Sequence, residues 1–359
     1  MRLGVIAILL AACGDDEPPP EVPPPAPPTA YLPATPASAT RSAPLNPRLL
    51  RRFRPLRQEL TAADRPRTAA LVDLGRMLYF DDRLSNHHDL SCNSCHPLAD
   101  YGADGRALSL GDRGQPGKRN APSTFNAAGM FAQFWDGRSA DVETQALAPL
   151  TNPTEMAMSP DRVVHVLHSI PEYRAAFAAA FPDAPISFAN VGVALGAFER
   201  GLTTPARWDR YVAGDRTAIT AAEVEGLRVF TNVGCITCHT GELLGGTSFQ
   251  QLGVIEPWPN AADRGRFEVT KVPADDMVFR VPSLRNVEMT APYFHDGSAA
   301  TLPVAIAMMG HHQLGIELTA REVASIAAWL HTLTGDLPTP YIRPPALPPS
   351  PLATTRNGT

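Results

Sequence analysis

"SCNSCHPLAD" occupies residues 91–100 and "GCITCHT" residues 234–240. Each holds Cys-x-x-Cys-His: Cys92, Cys95 and His96 in the first, Cys235, Cys238 and His239 in the second. The chain has five cysteines in 359 residues, and these two stretches use four of them. A Cys-x-x-Cys pair alone fits a redox dithiol or half a zinc site. The histidine directly after the second cysteine turns the reading to c-type haem attachment. The spacing has a chemical reason. Two thiols form thioethers with the haem vinyl groups, and the next residue turns its imidazole onto the iron. Two such motifs, with no cysteine to spare for a disulfide, set zinc and thioredoxin-like readings aside. They predict two covalent haems with His96 and His239 as proximal ligands.

The fifth cysteine, Cys13, ends "MRLGVIAILLAAC". Arg2 and the apolar run from Leu3 to Ala12 have the form of a cleaved signal and are too short to span a bilayer. "LAAC" reads as a lipobox whose cysteine is lipidated; a plain secretory signal with an incidental cysteine is the alternative. Residues 1–13 are therefore expected to be a lipoprotein-type signal peptide, and the chain to be anchored on the periplasmic side of a bacterial membrane. Residues 14–47 form a Pro-rich linker and 338–359 a Pro-rich tail, with little to bury. About 290 residues lie between, room for two domains of ordinary size. The net charge is -5, and no long basic run offers a nucleic-acid footprint. "RLLRRFRPLR" (48–57) is locally basic and reads as a solvated start to the first domain.

The remaining pattern is helical. "RTAALVDLGRMLYF" (67–80) has apolar residues at helical spacing and leads toward the first haem motif. "SPDRVVHVLHSI" (159–170) opens with Ser159 as cap and Pro160 at the first helical position. "SFANVGVALGAFERGL" (187–202) is a further apolar helix. "TAAEVEGLRVFTNVGC" (220–235) opens with a capping box, Thr220 with Glu223, and runs into the second motif. "TAREVASIAAWLHTLTG" (319–335) repeats the device with Thr319 and Glu322, and stacks Val323, Ile326, Leu330 and Leu333 on one face. Residues 245–290 are broken by Gly and Pro and predict loops with short strands at most. The fold class is all-α: two cytochrome c-like domains, 48–211 and 212–337, each with one covalent haem.

Two further stretches carry chemistry: "RNAPSTFNAAGMFAQFWDGRSADVETQALAPLTNPTEM" (119–156) and "FRVPSLRNVEMTAPYFHDGSAATLPVAIAMMGHHQLG" (279–315). With the two haem motifs, "FWDGR", "NPTEM", "PSLRN" and "YFHDG" in this order resemble the bacterial di-haem cytochrome c peroxidases, a family that includes the MauG-like enzymes. The resemblance covers roughly residues 65 to 338. It implies that the N-terminal haem is peroxidatic and the C-terminal haem a higher-potential electron relay. Glu155 matches the distal acid, the group that takes a proton from one peroxide oxygen and returns it to the other. Gln145 matches a distal-pocket amide, and Trp135 an electron conduit between the haems. As plain residues they would be a helix-start carboxylate, a polar side chain and a core aromatic.

The resemblance also implies a sixth ligand for the relay haem, Met309, where the MauG-like branch has Tyr. Met308 competes, but on a helix it points about 100° away. His311 and His312 are further competitors. His295 is implied to be a pocket residue near the relay haem and not an iron ligand. A calcium ion between the domains is implied on Asn120, Thr290 and Pro292, the last two through backbone carbonyls, with oxygen ligands suited to this hard cation. One position departs from the family. Many members carry a distal histidine sixteen residues after the proximal one; here that residue is Asp112, which reads as a solvated loop residue. His87 and His88 precede the motif as surface-loop histidines.

The function this supports is a di-haem peroxidase that reduces hydrogen peroxide with electrons from a small redox protein of cytochrome c or cupredoxin type. A homodimer is an assembly the reading allows. The alternatives are a MauG-like oxidase of a protein or organic substrate, against which Met309 argues, and a non-catalytic di-haem electron carrier, which has no use for Glu155 over an open iron.

Overall fold

The structure is a computed structural model and describes residues 45–60, 65 and 67–349. Cys13, the signal, most of the Pro-rich linker and the end of the tail lie outside the described residues. What is described is mostly helical. The helices used below are α1 (Ala69–Phe80), α2 (Val142–Thr151), α3 (Pro160–Ser169), α4 (Pro171–Ala180), α5 (Phe188–Glu199), α6 (Arg207–Ala213), α7 (Ala221–Asn232), α8 (Leu302–Met308) and α9 (Ala320–Leu330). Two three-residue strands, β1 (Phe249–Gln251) and β2 (Val278–Arg280), pair antiparallel with Phe249 opposite Arg280.

The helix starts follow local chemistry. Thr68 caps α1 by accepting from the Leu71 amide at 3.2 Å. Ser159 and Ser187 do the same for α3 and α5. Thr220 with Glu223 and Thr319 with Glu322 form reciprocal capping boxes on α7 and α9, so orphan amides at each start are satisfied.

Two large apolar cores result, beside a small cluster of Leu56, Leu60 and Leu243. The first gathers Leu74, Leu78 and Tyr79 of α1, Leu150 of α2, and Val191, Leu195 and Phe198 of α5. The second gathers Trp208 and Tyr211 of α6, Leu227 and Phe230 of α7, Ile306 of α8, and Ile326, Trp329 and Leu330 of α9. The same device closes both. A Cβ on Gly75 of α1 would lie 1.9 Å from the Ala194 oxygen of α5, and a Cβ on Gly226 of α7 would lie 1.9 Å from the Ser325 oxygen of α9. Each helix pair approaches backbone to backbone, which only glycine permits.

The chain ends pack otherwise than the sequence suggests. The segment read as a solvated start to the first domain serves the second core: Phe53 is 3% exposed and sits edge-on to Trp208, with ring centroids 5.2 Å apart. Leu45, Leu49 and Leu50 join it. Its arginines mask an i, i+3 apolar stripe. Part of the Pro-rich tail serves the first core: Ile342 is buried in it, Tyr341 stacks on Phe198 at 5.1 Å, and the Tyr341 hydroxyl donates to the Phe198 oxygen at 2.6 Å.

Buried ion pairs tie further segments together. Arg200 forks onto Glu143 at 2.7 and 2.9 Å. Asp209 accepts the Arg285 fork at 2.7 and 3.0 Å and also the Leu56 and Ala206 amides, both at 2.7 Å. One carboxylate thus ties the N-terminal segment, the start of α6 and the loop before residue 290.

Candidate functional site

Both Cys-x-x-Cys-His motifs form a tight turn in which the histidine amide bonds back to the first cysteine, His96 to the Cys92 oxygen at 3.0 Å and His239 to the Cys235 oxygen at 3.1 Å. All four cysteines are free. Nδ1 of His96 lies 3.2 Å from the Gly102 oxygen, and Nδ1 of His239 lies 2.9 Å from the Leu244 oxygen. A carbonyl at Nδ1 fixes the tautomer and leaves Nε2 as the ligating atom. Burial pushes the pKa of both imidazoles down, which favours the neutral form, the one that binds a metal. The Tyr79 hydroxyl donates to the His96 oxygen at 2.8 Å. Among the described residues, no three His, Cys, Asp or Glu side chains converge as a protein-only zinc site needs. The residues present fit two covalent haems.

Glu155 lies in the turn after α2. Its Oε1 accepts from Nδ2 of Asn152 at 2.9 Å, and its backbone oxygen from the Asp112 amide at 2.7 Å. Burial raises its pKa, against the Arg138 charge and the Asn152 hydrogen bond. It stands within electrostatic reach of the first attachment site: burial, Asp104 and then Glu155 push the Cys95 thiol up. Gln145, on α2, is half-buried, and no hydrogen bond joins it to Glu155 among the described residues. Asp112 corrects the expectation of a solvated loop residue. It is 7% exposed, and its Oδ1 takes Nδ1 of His87 at 2.8 Å. Asp112 is therefore a buried carboxylate that engages a neighbouring histidine.

A carboxyl that the sequence reading missed lies behind the first motif. Glu199 on α5 is 4% exposed. Glu143 has taken Arg200, and burial together with the Glu143 charge pushes Glu199 up to about 8. Its charge in turn helps raise Cys92.

The second motif opens on a largely apolar cavity of about 470 Å³. Cys235, Cys238, His239 and Met309 line it, as do Trp135, His295, Asn120, Thr290 and Pro292. Met309 begins a π-helical turn, Met309–Gln313, after α8. Met308 packs against the second core instead. His311 is turned to Glu317 at 2.5 Å and His312 to the Glu256 oxygen at 3.1 Å, and neither lines the cavity. The Asn120 amide donates to the Arg106 oxygen at 2.9 Å, which leaves its Oδ1 as an oxygen donor of the kind calcium takes.

The two halves meet at a seam with internal symmetry. "PSTFN" at 122–126 matches "PSLRN" at 282–286, and "FWDG" at 134–137 matches "FHDG" at 294–297, each 160 positions apart (282 − 122; 294 − 134). The backbone repeats with them: φ is 62° at Asn126 and 58° at Asn286, 66° at Phe134 and 71° at Phe294. The contacts are reciprocal. The backbone N–H of Asn120 donates to the His295 oxygen at 2.8 Å, and that of Arg280 to the Trp135 oxygen at 2.8 Å. Both asparagine amides donate to Oγ1 of the buried Thr204, Asn126 at 2.9 Å and Asn286 at 2.8 Å. By this correspondence Trp135 and His295 are equivalent, their rings 6.4 Å apart. Met309 is equivalent to Pro149, so the first half offers no side-chain donor where the second offers a thioether.

A protein-family model described as di-haem cytochrome c peroxidase matches residues 69–217. The chain is 43% identical over 287 residues to cytochrome c551 peroxidase of Nitrosomonas europaea, covering 79% of this chain and 85% of that protein. It is 45% identical over 292 residues to cytochrome c551 peroxidase of Pseudomonas aeruginosa, covering 79% and 84%. The chain belongs to the di-haem cytochrome c peroxidase family. A solved MauG-like protein associated with microbial copper homeostasis superposes with a TM-score of 0.72 at 31% identity, over 87% of this chain and 99% of that one. Membership in the di-haem cytochrome c peroxidases implies two c-type haems, the number of Cys-x-x-Cys-His motifs.

Proposed function

We propose that the protein reduces hydrogen peroxide to water, taking two electrons and two protons per peroxide. The observation that carries this is Glu155, a half-buried carboxylate with a raised pKa beside the first haem-attachment motif. The haem, when bound, supplies the redox-active metal centre at which the oxygen–oxygen bond is broken. Glu155 takes the proton from one peroxide oxygen and returns it to the oxygen that leaves as water. Asn152 fixes the Oε1 lone pair, and Gln145 supplies a neutral amide to orient the peroxide. Cys92, Cys95 and His96 hold the first haem; Cys235, Cys238, His239 and Met309 hold the second. Trp135 lies on the seam as the conduit between them, and Asn120, Thr290 and Pro292 supply the calcium donors. Electrons come from a small redox protein on the periplasmic side of the membrane, with Cys13 as the lipid anchor. The thioether at Met309, in place of Tyr, favours this reading over oxidation of a protein or organic substrate, because it raises the potential of an accepting haem.

Two measurements test it. Acid–organic extraction is expected to leave the pigment on the protein, with two haems per chain by pyridine haemochrome assay and steady oxidation of a reduced small cytochrome by peroxide. Extractable haem, or no peroxide turnover in the two-haem protein, removes the proposal. For the second haem, Met309→His is expected to lower the potential markedly and Met308→Leu to leave it. A shift with Met308 and none with Met309 would reverse the assignment.

A further inference from the structure

Four arginines are buried among the described residues: Arg83, Arg200, Arg280 and Arg285. Three have a carboxylate. Arg83 pairs with Asp81, Arg200 with Glu143 and Arg285 with Asp209. Arg280, 3% exposed, has none. Its guanidinium donates from Nε to the Phe134 oxygen at 3.2 Å, and Nη1 reaches the Val281 oxygen at a long 3.5 Å. Two carbonyls leave most of its five donors unspent. A buried charge without a counter-charge is costly enough that its partner is the question to ask.

The cavity answers by its lining. Arg280 lines the same space as His239 and Met309, and no Asp or Glu contributes to that wall. A second observation is independent. His295, 1% exposed, lines the cavity with neither Nδ1 nor Nε2 hydrogen-bonded. A guanidinium and an imidazole, both buried and underused, face a space with no acidic residue. That is a site for an anion brought in by the occupant. A c-type haem brings two propionates.

We propose that Arg280 is the propionate-binding residue of the second haem, with His295 as a further donor in the same cavity. This rests on the reading of the second motif as a haem site. Arg280 also bonds the Phe134 oxygen through its side chain and the Trp135 oxygen through its backbone. The residue that holds the propionate is therefore the one that clasps the aromatic segment of the other half. Arg280 is a positioning residue, and its charge stabilises the ferrous form of the haem it pairs with.

The test is a redox titration of the two-haem protein carrying Arg280→Gln or Arg280→Lys. Arg280→Gln is expected to lower the ferrous-to-ferric ratio of the second haem at least tenfold at a fixed potential, which is 59 mV for a one-electron couple. Arg280→Lys is expected to stay within threefold of the unaltered protein, and the first haem to be unmoved in both. A ratio within twofold of the unaltered protein in fully loaded Arg280→Gln overturns the proposal, whatever happens to thermal stability. Fewer than two haems in the unaltered chain would instead remove the haem reading itself. If the variants do not load, a crystal structure of the loaded protein decides. A propionate oxygen about 2.7–2.9 Å from the guanidinium is expected, and a separation beyond hydrogen-bonding range overturns it.

Discussion

Glu155→Gln is expected to keep both haems and the fold while slowing peroxide turnover by about 10²–10⁴-fold. That is roughly 3–5 kcal/mol of barrier. Gln matches Glu in shape and still meets the Asn152 amide, but it neither accepts nor returns a proton. The pH profile gives a second readout. Burial raises the Glu155 pKa, so the carboxylate protonates earlier as pH falls than an ordinary glutamate does. The acid limb of turnover should therefore lie above the ordinary glutamate range. Arg138 holds the pKa down, and Arg138→Met should move that limb further up. Unchanged turnover in loaded Glu155→Gln would make Glu155 a structural carboxylate of the turn after α2.

Asp209→Ala is expected to destabilise the folded protein by about 3–5 kcal/mol, the usual cost of leaving one member of a buried pair alone. It strips the fully buried Arg285 fork of its carboxylate and leaves the Leu56 and Ala206 amides without their acceptor. Each kcal/mol lowers a thermal midpoint by about 2–4 °C in domains of 150–250 residues. Calorimetry of the loaded protein measures it. A loss under about 1 kcal/mol would mean that water replaces the carboxylate and that the N-terminal segment is not held by it.

The sequence disclosed the haem motifs and most long helices because their signals are local. Cys-x-x-Cys-His is contiguous, and Thr220 with Glu223 or Thr319 with Glu322 mark a helix start within four residues. The helices α2, α4, α6 and α8 were not foreseen. Pro149 inside α2 and the short α6 and α8 blur the apolar period from which helices are read. Phe53 and Tyr341 were misread because their partners, Trp208 and Phe198, are far along the chain. Composition alone made one segment basic and the other Pro-rich. Glu199 and Arg280 lacked any local mark as site residues, and Arg138 stood in "FWDGR" without a role of its own, since what distinguishes each is the charge it meets or fails to meet. A signal was nonetheless present: P-S-x-x-N and F-x-D-G recur 160 positions apart (282 − 122), and aligning them sets Trp135 on His295 and Pro149 on Met309.

The reciprocal bonds at the seam, Asn120 to His295 and Arg280 to Trp135, are the pattern of an isologous contact, in which one patch meets its own copy. A self-pairing one-haem ancestor, duplicated and joined end to end, would leave such a contact inside a single chain. Joining frees the two copies to drift apart, which identical subunits cannot do. The Thr204 amide donates to Oδ1 of Asn126 and the Gly335 amide to Oδ1 of Asn286, both at 3.1 Å, but Gly335 has no hydroxyl, so that of Thr204 serves both asparagines. At the paired positions one half has the thioether of Met309 and the other Pro149. Such a history would give one chain two unlike redox sites from one inherited design.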